Sequence, residues 1–341
     1  MATTVLSLDS FPEELVERIL SYCVVASQAP AVSSPAWAPG QPPSAAVRPV
    51  CSRLAPLLVC KAFYRISLPH FYHTIHLTRP SQPAHLLSTL HHYPWLSRYV
   101  RRVVITGIFD GADQVFRRCR HVKALDITLD PRFPEQAYCP AVERLCDSLE
   151  ALDAVTHLTI RKPARLYLTH AGVKRLIFRL ASAITGWIDL QYAHLAFRIS
   201  DDSVSPPAAQ PRGPISTITH ALSLAPSLHT FSTQLPSLWN EAILSVSQNP
   251  CLERIVLGGT DYEDGCGIIS GGGLYMIQTR KHPRLAELIR NGTPIIRSRA
   301  HTVTSQPLTV LSYTASRDKK DDTPTPHIVR HHSLKRHGRP F

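Results

Sequence analysis

The sequence predicts an α+β chain: a small all-α module at the amino end, followed by an irregular α/β solenoid whose strands run parallel. Three observations lead there. The first 80 residues hold short amphipathic segments with helix-start signals. Beyond residue 80, brief β-prone runs alternate with helical periodicity, the pattern of parallel pairing. The spacing between successive runs is short and roughly repeated.

The module begins at Leu8-Asp9-Ser10-Phe11-Pro12-Glu13-Glu14-Leu15. Ser10 with Glu13 three residues on is a capping-box pattern, Pro12 suits a first helical turn, and early acids favour the positive end of the helix dipole. A helix is therefore predicted to start near Phe11. Leu8, Phe11, Leu15, Ile19, Leu20 and Cys23 recur at helical spacing, while Glu13, Glu14, Glu17 and Arg18 fill the other side. Residues 26–49 are rich in Ala, Pro and Ser, which supports neither a packed helix nor a strand; we expect a disordered loop there, since loop-closure entropy grows by only about 0.6 kcal/mol per doubling of length. The segment 54–77 then predicts a short helix from Pro56, a new turn from Pro69 and an extended piece over 74–77. So small a cluster holds more apolar side chains than it can bury, so some should face a partner.

Together these residues resemble an F-box. Phe11-Pro12-Glu13-Glu14-Leu15 with Ile19-Leu20, then Val59-Cys60-Lys61-Ala62-Phe63, then Leu68-Pro69-His70-Phe71-Tyr72-His73-Thr74-Ile75 stand in the order of that family's three blocks. The chain departs from the pattern in Phe11, where Leu is usual, and in the length of the 26–49 connection. The resemblance covers residues 5–78 and implies docking on the Skp-type adaptor of a cullin ubiquitin ligase. It implies an adaptor-binding surface of Phe11, Pro12, Leu15, Ile19, Leu20, Val59, Cys60 and Phe63, some of them as its immediate support.

In residues 79–304, strands are predicted over 100–105, 122–127, 155–160, 228–232 and 252–257, and helices over 83–92, 112–119, 140–149, 171–185, 215–224 and 238–247. The intervals Val103 to Leu125 and Phe231 to Ile255 fall within the roughly 20–29 residues of a leucine-rich repeat, and the array resembles a degenerate form of one. A doubly wound open sheet is the competing arrangement. In a solenoid the sheet would line a face able to hold a target protein, with Arg102, Thr106, Asp126, Thr128, Thr159, Arg161 and Arg254 at outward strand positions. Two short helices over 274–292, split by Pro283, would close the open end through Leu285, Leu288 and Ile289.

Charge is uneven. Residues 280–341 carry 13 Lys/Arg against four acids, +9 of the chain's +12, and residues 305–341 are expected to be a disordered basic tail serving, if anything, nuclear import or phosphate contact. No aromatic-interleaved basic surface accompanies it, so nucleic acid is not the expected partner. No membrane-length apolar run and no basic-then-apolar leader stand in the sequence, and the expected location is cytoplasm or nucleus. The eight cysteines form no C-x-x-C pattern, which suits reduced, mostly buried thiols and no metal centre. The glycine-rich run 265–273 has the wrong spacing for a phosphate loop, and no catalytic motif appears, so neither a cofactor nor catalysis is expected. The function expected is a non-catalytic substrate receptor that docks on the adaptor, and through it cullin, and holds an unknown target protein. A repeat scaffold outside any ligase, or a nuclear protein associated with nucleic acid, is the alternative.

Overall fold

The computed structural model describes residues 11–24, 53–130, 140–163, 167–168, 170–199, 213–236, 239–258 and 273–293. The expected loop 26–49, the glycine-rich run before Gly273 and the tail 305–341 lie outside these residues, as does Ser10 of the capping box. The described residues all belong to one compact unit.

Helix α1 spans Glu13–Val24, two residues later than the predicted start, with the Pro12 carbonyl accepting from the Leu15 and Val16 amides. A 3-10 turn over Ala55–Leu58 leads into α2, Lys61–His73. The turn expected at Pro69 does not form, and α2 runs through it. At this position the proline forfeits one hydrogen bond near the end of the helix, which the packing of α1 and the 3-10 turn on α2 outweighs.

The rest alternates: β1 Thr74–Leu77, α3 Gln82–His92, β2 Arg102–Ile105, α4 Ala112–Arg118, β3 Ala124–Thr128, α5 Pro140–Glu150, β4 His157–Arg161, α6 Ala171–Gly186, β5 Tyr192–Arg198, α7 Pro214–Leu224, β6 Thr230–Gln234, α8 Glu241–Ser247, β7 Arg254–Gly258, α9 Gly273–Thr279 and α10 Pro283–Gly292. The seven strands make one sheet in chain order, every neighbouring pair parallel. The order never reverses, so the doubly wound arrangement is not the one adopted. Because parallel crossovers share one hand, an unreversed order sends the helices to a single side, where α3 to α8 pack each on the next.

Strand β5 was not predicted. Register shows why: the line Ile75, Val103, Leu125, Leu158, Ala193, Phe231, Ile255 passes through an alanine at β5. Its neighbours in the line lie 35 and 38 residues away, outside the short-repeat range. The strand nevertheless shares a local pattern with the others. A buried apolar residue precedes each of β2 to β7, at Val100, Val122, Val155, Leu190, Leu228 and Leu252, and the third and fifth residues after it point to the helices. Among those Val103, Ile105, Leu125, Ile127, Leu158, Ile160, Ala193, Leu195, Phe231, Ile255 and Leu257 are buried. At the fifth-residue position in β6 stands Thr233, whose hydroxyl donates to the Phe197 carbonyl and so is satisfied without water.

Each unit also joins the next in the same way. The carbonyls of Arg101, Lys123, Thr156, Gln191 and His229 each accept two successive amides from the start of the following strand, at 2.7–3.2 Å. Buried polar side chains satisfy the turns: Asn249 Nδ2 donates to the Leu222 and Ala225 carbonyls, Asn240 Nδ2 to Ile199, and Trp187 Nε1 to Leu149. At the far edge α10 packs on β7, with Leu285, Leu288 and Ile289 buried. A Cβ on Gly292 would lie 2.3 Å from the Ile255 oxygen, so only glycine allows that approach. Thr293 Oγ1 then donates to the Ile255 carbonyl and accepts from the Leu257 amide, occupying edge groups that would otherwise stand open to another strand.

Candidate functional site

Two regions carry chemistry that packing alone does not require. The first is built on α1. Positions 13, 17, 20 and 24 share one helical face, and that face meets α2: Glu13 pairs with Arg65 at 2.8 Å, Glu17 with His70 at 3.1 Å, and Leu20 and Val24 are buried. Arg53 closes the end of α1, with Nε donating to the Val24 carbonyl, Nη2 to that of Phe71, and its guanidinium 5.0 Å from the Phe71 ring centre. This seating turns the opposite face out. Leu15 is 49% exposed, Ile19 58% and Tyr22 78%, with Phe11 and Pro12 also exposed.

The neighbouring 3-10 turn and the start of α2 add exposed Leu54, Leu58, Val59, Cys60 and Tyr64, Leu58 at 83%. Cys60 caps α2 by accepting the Phe63 amide at sulfur, 3.5 Å away, and Phe63 is half-buried. Of the eight residues expected at a docking surface, Phe11, Pro12, Leu15, Ile19, Val59 and Cys60 stand in solvent, Phe63 straddles the boundary, and Leu20 lies beneath as support. Tyr22, Leu54, Leu58 and Tyr64 were not singled out from sequence. Tyr22 follows Ile19 and Leu15 at helical spacing, the signal that finds it.

The second region lies on the sheet face turned away from the described helices. A cavity of about 360 Å³ is lined by Arg102, Ala124, Leu125, Asp126, His157, Thr159, Arg161, Tyr192 and His194. Asp126, expected at an outward and therefore less buried position, is only 2% exposed. The register explains the correction: β2 and β4 flank β3 and bring an arginine from each side. Arg161 grips the carboxylate two-handed, Nε to Oδ1 at 2.8 Å and Nη2 to Oδ2 at 3.0 Å, and Arg102 Nη2 stands 3.6 Å from Oδ2. Arg102, Thr106, Thr128, Thr159 and Arg161 are half-buried and Arg254 is exposed, donating from Nε to Thr230 Oγ1.

The imidazoles around this clasp are held neutral. Burial, then Arg161, pushes His194 down to about 4, with Asp126 opposing. Burial, then Arg102, lowers His157, and burial, then Arg53 and Arg102, lowers His76. His157, Tyr192 and His194 are missing from the sequence reading; the first stands in a strand that was predicted, the other two in the strand that was not.

The thiols divide. Cys119 and Cys146 are buried and pushed up to about 12 by desolvation, whereas Cys23, Cys60 and Cys251 are exposed, so mostly buried is not the pattern among the described residues. Among those residues no group of three or more His, Cys, Asp or Glu could hold a metal, and no helix is long and apolar enough to cross a membrane. No family model matches the chain, and no curated protein matches its sequence.

Proposed function

We propose that the chain is a substrate-recognition subunit of a Skp–cullin–F-box ubiquitin ligase. Its amino-terminal helices dock on the Skp-type adaptor, and a leucine-rich-repeat-like solenoid of parallel strands presents a target protein. The observation that carries the docking half is the inverted polarity of α1, whose Glu13 and Glu17 turn toward α2 while Leu15, Ile19 and Tyr22 stand in water. Exposed large apolar side chains on neighbouring short elements mark an interaction surface, and Phe11, Leu15, Ile19 and Val59 among them fall in the sequence blocks that resemble the F-box. Support for the repeat half comes from the recurring buried triplet in each unit and the five identical carbonyl junctions.

In this reading the chain makes and breaks no bonds. It raises the local concentration of target lysines beside a ubiquitin carrier held by other subunits. The test is calorimetry of the full chain with a Skp-type adaptor, beside the double variant Leu15→Ser/Ile19→Ser. Central apolar contacts are each worth about 2 kcal/mol or more, so the variant should bind about a hundredfold or more weakly while its melting temperature stays put. No binding by the wild-type chain, or equal binding by a folded variant, refutes the docking. Binding without cullin-dependent ubiquitination of any captured protein would favour the scaffold role instead.

A further inference from the structure

The sheet-face cavity has a charge pattern opposite in kind to the apolar amino-terminal surface. Among the described strand residues on that face, Arg102, Arg161, Arg198 and Arg254 stand against a single acid, Asp126. Within the cavity two guanidiniums share that one carboxylate, and the flanking imidazoles His157 and His194 are neutral near pH 7. The described lining residues thus carry one surplus positive charge in a half-buried setting, where an unbalanced charge is costly.

The donors are also only partly used. Arg161 commits Nε and one Nη2 hydrogen to Asp126, and Arg102 approaches it only at 3.6 Å, so both retain N–H groups for a second acceptor. The planar fork of a guanidinium matches a carboxylate edge on. His157 and Tyr192, with ring centres 5.7 Å apart and planes inclined by 34°, supply an aromatic wall beside it. A volume of about 360 Å³ falls in the range of ligand clefts, roughly 300–1,000 Å³.

We infer that this cavity recognises a carboxylate side chain on an extended acidic segment of a partner protein lying across the strand face. One carboxylate brings two arginines and two acids into balance. A phosphate dianion would overshoot, because imidazoles already pressed toward neutrality resist the compensating proton. The inference rests on the proposed reading only in taking the strand face as the target surface; it needs no adaptor.

The probe is a fluorescein-labelled peptide of alternating Gly and Glu, acetylated and amidated at its ends, with a Gln counterpart, titrated with the full chain at about 0.15 M salt and followed by anisotropy. The Glu peptide should bind at least tenfold more tightly than the Gln peptide. Arg102→Gln removes the surplus charge yet leaves the two-handed Arg161–Asp126 pair in place, and should weaken the Glu peptide at least tenfold. Ala124→Phe fills the cavity without changing charge and should do the same, which keeps the test decisive if either variant folds poorly. Equal binding of the two peptides overturns the inference, and so does unchanged binding by both variants, which assigns any preference for the Glu peptide to the basic carboxy-terminal residues. Displacement of the peptide by inorganic phosphate at lower concentration than by acetate overturns the choice of carboxylate. Adaptor capture by Arg102→Gln should remain at the wild-type level, so a failure here and a failure of docking are read separately.

Discussion

Helices α1 and α6 solve opposite problems with the same periodicity. Of the sixteen residues of α6, seven are buried, from Val173 to Ile184, and its arginines lie outside, where Arg175 pairs with Glu143 and Arg179 with Asp147 and Glu150 of α5. Of the twelve residues of α1, only Leu20 and Val24 are buried, Glu13 and Glu17 turn toward α2, and Leu15, Ile19 and Tyr22 face water. An amphipathic pattern therefore says that a helix has an apolar stripe, not that the stripe faces its own chain. In the array the stripe has a sheet to cover. At the amino end it faces water.

The sharpest way to break this contrast is to damage the array. Trp187 is fully buried and its Nε1 donates to Leu149. Trp187→Ala should lower stability by about 3–5 kcal/mol in chemical denaturation. A loss under about 1 kcal/mol would mean the array does not depend on its buried layer as described. Gly292→Ala comes next, since the Ile255 backbone cannot yield to a Cβ at 2.3 Å. A loss of about 1–3 kcal/mol is expected, with faster hydrogen exchange at the Leu257 amide as α10 lifts from β7.

Acid sharpens the contrast within the array. His194 titrates near 4 when folded against an ordinary 6.5, so between those values the unfolded chain binds more protons. The stability contributed by its neutral form is complete above pH 6.5 and is lost progressively as pH falls toward 4. His73, His76 and His157 are lowered too and act with the same sign. His194→Gln should flatten the stability profile measured between pH 7 and pH 5, and an unchanged slope would remove His194 from the account. The smallest effect is expected at the amino-terminal surface, where Ile19→Ser should change stability by no more than about 0.5 kcal/mol. A large loss there would show that Ile19 is part of the chain's own core.

Much of the array was legible. Predicted helices such as 83–92 and 171–185 differ from α3 and α6 by one residue at an end, because their apolar spacing and their flanking Pro, His or Gly punctuation agree. Six strands were found, β1 as the extended piece over 74–77, where Val, Ile, Leu or Phe occupies the first helix-facing position. Strand β5 escaped because its first inward residue is Ala193, which carries little β signal, and because its outward residues Tyr192 and His194 blur the alternation. With it went two walls of the sheet-face cavity. On α1 the sequence grouped Leu20 with Phe11, Leu15 and Ile19 as one apolar face, and the structure separates it from them.

The sequence by itself determined most of the segments that become helices and strands, β5 and the passage of α2 through Pro69 apart, and that the strands run parallel, since period, caps and short connections act over a few residues. Tertiary structure alone decided the clasp on Asp126 and the outward turn of α1. Arg102, Asp126 and Arg161 are separated by 24 and 35 residues and meet only through the register of three strands. Glu13 and Glu17 find Arg65 and His70 only once α1 lies on α2, and which face is then left in water depends on that long-range pairing. Local periodicity specifies a stripe, and only packing selects the surface that covers it.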